Sequence, residues 1–119
     1  MDKEALNLKK VGILKGIAHP VRLRIVEALS KKDMCVCEIA EMFDCDRTTI
    51  SKHLALMKSI GILGDRKEGL NVYYSLRMPC LASLLACVER VVSGDELGAM
   101  VLLCGCGASE KTGDQEEIR

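Results

Sequence analysis

Two cysteine pairs carry the clearest chemistry in this sequence. Cys35 and Cys37 are separated by one valine, and Cys104 and Cys106 are separated by one glycine. Thiolate sulfur is a soft ligand that suits thiophilic ions. In the second pair the flanking glycines let the backbone bend until both sulfurs converge on one ion. The two pairs predict a thiolate site for a metal or metalloid, with all four cysteines as candidate ligands.

A polar helix face follows the first pair. Ile50, Leu54 and Met57 recur at the spacing of one helix face, and Asp46 is placed to cap this helix. Polar residues fall on the opposite face and its flanks, where they can contact base edges and phosphates. The predicted base contacts are Thr48, Ser51 and His53, the predicted phosphate contacts are Arg47, Lys52, Arg66 and Lys67, and Thr49 is a further predicted DNA contact on the flank.

Apolar spacing predicts the elements that position these residues. One helix ends near residues 16–19, and a second begins at Pro20, because proline suits a first helical turn. Apolar residues at positions 36, 39, 40 and 43 predict a third helix. Residues 62–77 alternate as in a β-hairpin and carry a basic arm. The last three of these helices, followed by the basic hairpin, predict a mainly α (α+β) winged helix-turn-helix with a two-stranded wing.

The last predicted helix indicates a partner chain. It follows Pro79, and between Cys80 and Val92 only Ser83, Glu89 and Arg90 are polar. A helix that is apolar nearly all round must be covered on more than one side. We therefore expect a homodimer that packs through this helix and the N-terminal helix. The predicted domain spans residues 1–107, and residues 108–119 form a charged tail predicted to be disordered.

Composition limits the protein class. A chain of 119 residues is long enough for one small domain. Net charge is zero, but residues 46–77 hold six basic against three acidic side chains, and the tail from Glu110 is acidic. An odd count of seven cysteines, with no signal peptide, argues against a disulfide framework. No apolar run has the length of a membrane span, so we expect a cytoplasmic protein.

The segment from about Leu14 to Val92 resembles the ArsR/SmtB family of metal-responsive bacterial repressors. Four motifs carry the resemblance in order, at residues 18–25 (AHPVRLRI), 35–40 (CVCEIA), 49–57 (TISKHLALM) and 69–74 (GLNVYY). The resemblance implies a winged-helix dimer that binds double-stranded operator DNA when it is free of effector. It also implies that the loaded protein releases the operator.

The same resemblance implies a ligand set that this chain matches only in part. Cys35 and Cys37 match the family's Cys-Val-Cys, but Ala40 stands where the similar arsenic sensors have a third cysteine. Cys104 and Cys106 are the best replacements, while Cys45, Cys80 and Cys87 stay open, with core packing favoured for the last two. Three thiolates suit arsenite or antimonite, As(III) or Sb(III), whereas a fourth favours Cd(II), Pb(II) or Zn(II).

Helix geometry limits how Cys35 and Cys37 can bind one ion. Residues two apart on a helix point about 200° apart, so Cys35 and Cys37 cannot share an ion on one helix. Chelation by both predicts that the first turn of this helix is unwound or becomes unwound on binding. Rival hypotheses are two packing cysteines, a redox or persulfide switch pairing Cys35 or Cys37 with Cys104 or Cys106, and a protein-interaction module. A thiol oxidoreductase is disfavoured because the pairs are C-x-C without a βαβ pattern.

Overall fold

The computed structural model describes residues 1–94 and has the predicted winged helix-turn-helix architecture. The elements in chain order are α1 (Lys3–Ile17), α2 (Pro20–Leu29), β1 (Met34–Cys35), α3 (Val36–Ala40), α4 (Arg47–Ser59), β2 (Leu63–Glu68), β3 (Asn71–Leu76) and α5 (Cys80–Ser93). Cys104, Cys106 and the predicted domain boundary at residue 107 lie outside the described residues.

Local capping explains where the first two helices begin. The Asp2 carboxylate accepts a hydrogen bond of 2.9 Å from the Ala5 N–H and so caps α1. His19 caps α2, where its Nδ1 accepts from the Val21 N–H at 3.1 Å. Pro20 follows as the first helical residue, as predicted.

The third helix is shorter than the sequence predicts. It ends at Ala40, and the chain then tightens into turns in which the N–H groups of Met42 and Phe43 bond to carbonyls three residues back. Phe43 is therefore not on a further turn of α3. Its ring instead lies 4.7 Å from the guanidinium carbon of Arg24. Phe43 thus fits the helical spacing of apolar residues but lies in the turns that follow α3.

The wing contains a third strand that the sequence did not predict. β2 and β3 form the expected antiparallel hairpin, and the turn contains Gly69 with φ 65°, a conformation that favours glycine. β3 also pairs antiparallel with β1, placing Cys35 opposite Tyr73, so the strand order is β1-β3-β2. The first cysteine of the thiol pair is thereby joined to the wing.

The core beneath these elements holds α4 in place. Its predicted apolar stripe, Ile50, Leu54 and Met57, is fully buried. Gly16 in α1 leaves room for the end of this helix, because a Cβ there would collide with the side chain of Ile60. The opposite face of α4 is left free for solvent or a ligand.

The chain divides into two compact units after Pro79. In the second unit α5 exposes a set of apolar side chains, and in the first unit α1 does the same: Leu84, Val88, Val91 and Val92 on α5, and Leu6, Leu8, Val11 and Leu14 on α1. Within residues 1–94 no helix is both long enough and apolar enough to cross a membrane.

Candidate thiol site and nucleic-acid interface

The sulfur atoms of Cys35 and Cys37 lie 2.7 Å apart. Cys35 is not a helical residue: it is the N-cap of α3, with extended backbone at φ −84° and ψ 166°. The Glu38 carboxylate fixes this conformation by accepting a hydrogen bond of 3.0 Å from the Cys35 N–H. This extended backbone is the predicted case in which the chain is already unwound at the first cysteine. Strand pairing holds Cys35 just before α3, so the two sulfurs approach each other without unwinding of α3 itself.

The surroundings of the Cys37 thiol favour its protonated form. The hydrogen bond between the two thiols raises the pKa of Cys37, burial adds to the increase, and the charge of Arg47 opposes it. The pKa of the neighbouring Glu38 is lowered because its carboxylate accepts the Cys35 N–H. An ion that binds this pair must therefore displace protons. Two thiolates on one tetrahedral ion lie roughly 3.8 Å apart, a longer distance than the 2.7 Å between these two sulfurs.

An open pocket of about 210 Å³ lies beside the thiol pair. Its wall includes the first residue of α4 and the turn of the wing, and its full lining is Cys35, Val36, Cys37, Arg47, Leu70, Asn71 and Val72. Leu70 is 98% exposed at the tip of the wing. A ligand held by the two sulfurs would contact both elements that are predicted to bind DNA.

The predicted recognition helix, α4, presents a polar face to solvent. The Asp46 carboxylate caps it by accepting a hydrogen bond of 3.1 Å from the Thr49 N–H, and this bond lowers the pKa of Asp46. Five of the predicted DNA contacts on this helix are exposed: Arg47, Thr48, Thr49, Ser51 and Lys52. These groups are hydroxyl donors and cations, the kinds of side chain that contact base edges and phosphates.

His53 lies apart from that exposed face. It is half-buried, its ring centroid is 4.6 Å from that of His19, and its Nδ1 lies 3.4 Å from an Arg22 nitrogen. Burial lowers the pKa of His53, and the charges of His19 and Arg22 lower it further. The Arg22 Nε is buried and has no hydrogen-bond partner in the described part of the chain. The His53 side chain thus projects from α4 towards the start of α2.

The cations of the wing differ in how far they are already paired. Arg66 donates to Asp33 and Glu68 and lies 5.3 Å from the centre of the Tyr73 ring. Lys67 is exposed beside it. Exposed ion pairs contribute only about 0–1 kcal/mol, so a phosphate can replace the carboxylates at Arg66 at small cost.

The described residues supply no third ligand beside the thiol pair. Cys45 and Cys87 are half-buried and Cys80 is exposed, so the expectation of core packing is wrong for Cys80 within one chain. Within residues 1–94 no group of three or more cysteine, histidine or acidic side chains could hold a metal ion.

Comparison with known proteins identifies the family. The model of the family described as "Bacterial regulatory protein, arsR family" matches residues 19–64, which include the thiol pair and α4. The HTH-type transcriptional regulator Rv0081 of Mycobacterium tuberculosis is 31% identical over 94 residues, or 78% of this chain and 82% of that protein. The chain belongs to the ArsR family. It is accordingly a DNA-binding transcriptional regulator and not an enzyme.

Two further relatives bear on ligand and assembly. The arsenical resistance operon repressor of Escherichia coli is 40% identical over 70 residues, covering 58% of this ArsR-family chain and 60% of the repressor. The homodimeric winged helix-turn-helix domain of Mb0332 from Mycobacterium bovis superposes with a TM-score of 0.68 at 32% identity. That match covers 76% of this chain and 84% of the Mb0332 domain.

Proposed function

We propose that this ArsR-family regulator is a homodimeric repressor that releases operator DNA when cysteine thiolates bind a thiophilic ion. The ion is arsenite or antimonite, with Cd(II), Pb(II) or Zn(II) as alternatives. The observation that supports this most strongly is the 2.7 Å approach of the Cys35 and Cys37 sulfurs inside a pocket lined by Arg47 and the wing.

DNA binding is assigned to the exposed face of α4 and to the wing. Thr48 and Ser51 contact base edges, while Arg47, Lys52, Arg66 and Lys67 contact phosphates and Thr49 lies at the edge of the same surface. His53 supports α4 from its inner flank. Phosphate contacts dominate affinity, so binding falls steeply as salt concentration rises.

Ion binding is assigned to Cys35 and Cys37, with Cys104 or Cys106 supplying further sulfur. Three thiolates satisfy trivalent arsenic or antimony, which explains the order of preference. The relationship to the arsenical resistance operon repressor supports the same order. Recruitment of both tail cysteines would complete four ligands and favour cadmium, lead or zinc.

The pocket lining connects ion binding to DNA binding. Cys35 pairs with Tyr73 on β3, and Arg47 and Leu70 form part of the same wall. Filling the pocket therefore acts on the wing and the start of α4 without unwinding α3. A coupling of about 1–3 kcal/mol weakens DNA binding by roughly 5- to 150-fold.

A titration tests the proposal. Reduced full-length protein bound to labelled upstream DNA is treated with arsenite, antimonite, cadmium and zinc, while anisotropy reports DNA release and a thiol reagent counts the cysteines consumed. Cys35→Ser and Cys37→Ser are expected to abolish release, and Cys45→Ser, which alters a half-buried cysteine outside the pocket lining, is the matched control. Cys104→Ser and Cys106→Ser test the further ligands. Unchanged release from both pocket variants would refute the assigned site.

The same short sulfur distance supports a second candidate function, redox sensing. A peroxide could oxidise two thiols to a disulfide, either within the pair or between the pair and a tail cysteine, while the peroxide is reduced to water. DNA release by peroxide, reversed by a dithiol and absent with arsenite, would favour this function over ion sensing.

A further inference from the structure

Arg47 belongs to the thiol pocket and to the recognition helix at once. It is the first residue of α4, and it lines the pocket that contains Cys35 and Cys37. Within residues 1–94 its exposed side chain takes part in no ion pair, whereas Arg66 is held by carboxylates. The Arg47 guanidinium is therefore available to whichever anion approaches it.

Two electrostatic effects favour an anion beside the Arg47 guanidinium. A cation at the N-terminus of a helix faces the positive end of the helix dipole, so an anion nearby relieves the repulsion. The charge of Arg47 also lowers the pKa of Cys37, against the larger effects of the Cys35 hydrogen bond and burial. Arg47 thus lies close enough to act electrostatically on the Cys37 sulfur.

We infer that Arg47 couples the two sites: it binds a DNA phosphate while the pocket is empty and turns to the pocket when a negatively charged group occupies it. The identity of the pocket ligand rests on the proposed function, and the inference adds the residue that transmits its binding. A guanidinium that turns into the pocket is no longer available to a phosphate of DNA bound on the exposed face of α4. Pocket occupancy therefore withdraws a phosphate contact from the operator complex.

A double-mutant cycle without any metal tests this coupling. Cys37→Asp places a permanent negative charge in the pocket, and Cys37→Asn is its neutral isostere. Aspartate is favourable in the first turn of a helix, so both variants are expected to fold. The measured quantity is the DNA dissociation constant of the Cys37→Asp variant divided by that of the Cys37→Asn variant. This ratio is measured in three backgrounds: the parent chain, Arg47→Gln and Lys52→Gln.

The Asp/Asn ratio should exceed one in the parent and shrink by at least about threefold with Arg47→Gln, since coupled residues are not additive. Lys52→Gln, which removes an exposed cation of the same helix outside the pocket lining, should leave the ratio within about twofold of the parent. Arg47→Gln should also make the logarithm of DNA affinity depend less steeply on the logarithm of salt concentration. The slope should fall by the amount expected for the loss of about one phosphate contact.

The outcomes separate this inference from the proposed function. An undiminished ratio with Arg47→Gln, or an unchanged salt slope, overturns the role of Arg47 even if arsenite releases the parent chain from DNA. A diminished ratio with no release by arsenite, antimonite or cadmium supports the coupling and refutes ion sensing. Cadmium bound by four thiolates forms a negatively charged complex, so release of Arg47→Gln by cadmium as full as that of the parent also overturns the coupling.

Discussion

At the scale of single residues, His53 shows how a polar side chain of α4 can serve structure. Its ring lies against His19, and Arg22 is within 3.4 Å of its Nδ1. All three side chains are basic, so a proton added to His53 enters an already positive cluster. The neutral imidazole is the form that suits this packing between α2 and α4.

Stability should consequently decrease in mild acid. Burial and the neighbouring charges lower the pKa of His53 in the folded state below its ordinary value of 6.5, so the unfolded chain binds this proton first as pH falls. The free energy of unfolding is then greatest above about pH 6.5 and declines towards the lower folded pKa. Urea unfolding from about pH 8 to 5 measures the slope. His53→Gln should flatten it, and a slope unchanged from the parent would contradict this role.

At the scale of elements, the sequence predicted α1, α2, α4 and the wing hairpin, because each has enough residues to show a period. It missed β1, which has two residues and forms only by pairing with Tyr73 and Tyr74 far along the chain. The same pairing sets the backbone of Cys35, so the geometry of the thiol pair could not be derived from local spacing. The neighbours of His53 were equally hidden, since Arg22 lies 31 positions away.

The cap of α4 connects helix stability to DNA binding. Asp46 holds the first turn, which carries Arg47, Thr48 and Thr49. Asp46→Ala removes the acceptor for the Thr49 N–H and should cost about 0.5–2 kcal/mol of unfolding free energy. The frayed turn should also weaken DNA binding. Asp46→Asn keeps a capping oxygen and should retain most of the unfolding free energy and of the DNA affinity, measured by denaturation and anisotropy. Equal losses in the two variants would show that the charge of Asp46 matters and its capping does not.

At the scale of the whole molecule, zero net charge is compatible with DNA binding because the charge is unevenly distributed. The basic side chains of α4 and the wing belong to the unit that ends at Pro79, and the pocket beside the thiol pair belongs to the same unit. The described residues that we propose for sensing and for DNA binding thus lie in one unit. In the second unit α5 exposes apolar side chains, which we propose as a dimer interface.

Disrupting that apolar face should dissociate the protein and weaken operator binding together. Val88 is 47% exposed on α5, and Val88→Glu places a charge among Leu84, Val91 and Val92. Sedimentation equilibrium should shift from twice the chain mass of 13.0 kDa to that mass. DNA affinity should fall because each monomer retains only one recognition helix. Ala86→Glu, on the opposite side of the same helix and also exposed, should stay dimeric. If Val88→Glu remains a dimer of parental DNA affinity, α5 does not form the interface and the exposed leucines and valine of α1 become the surface to test.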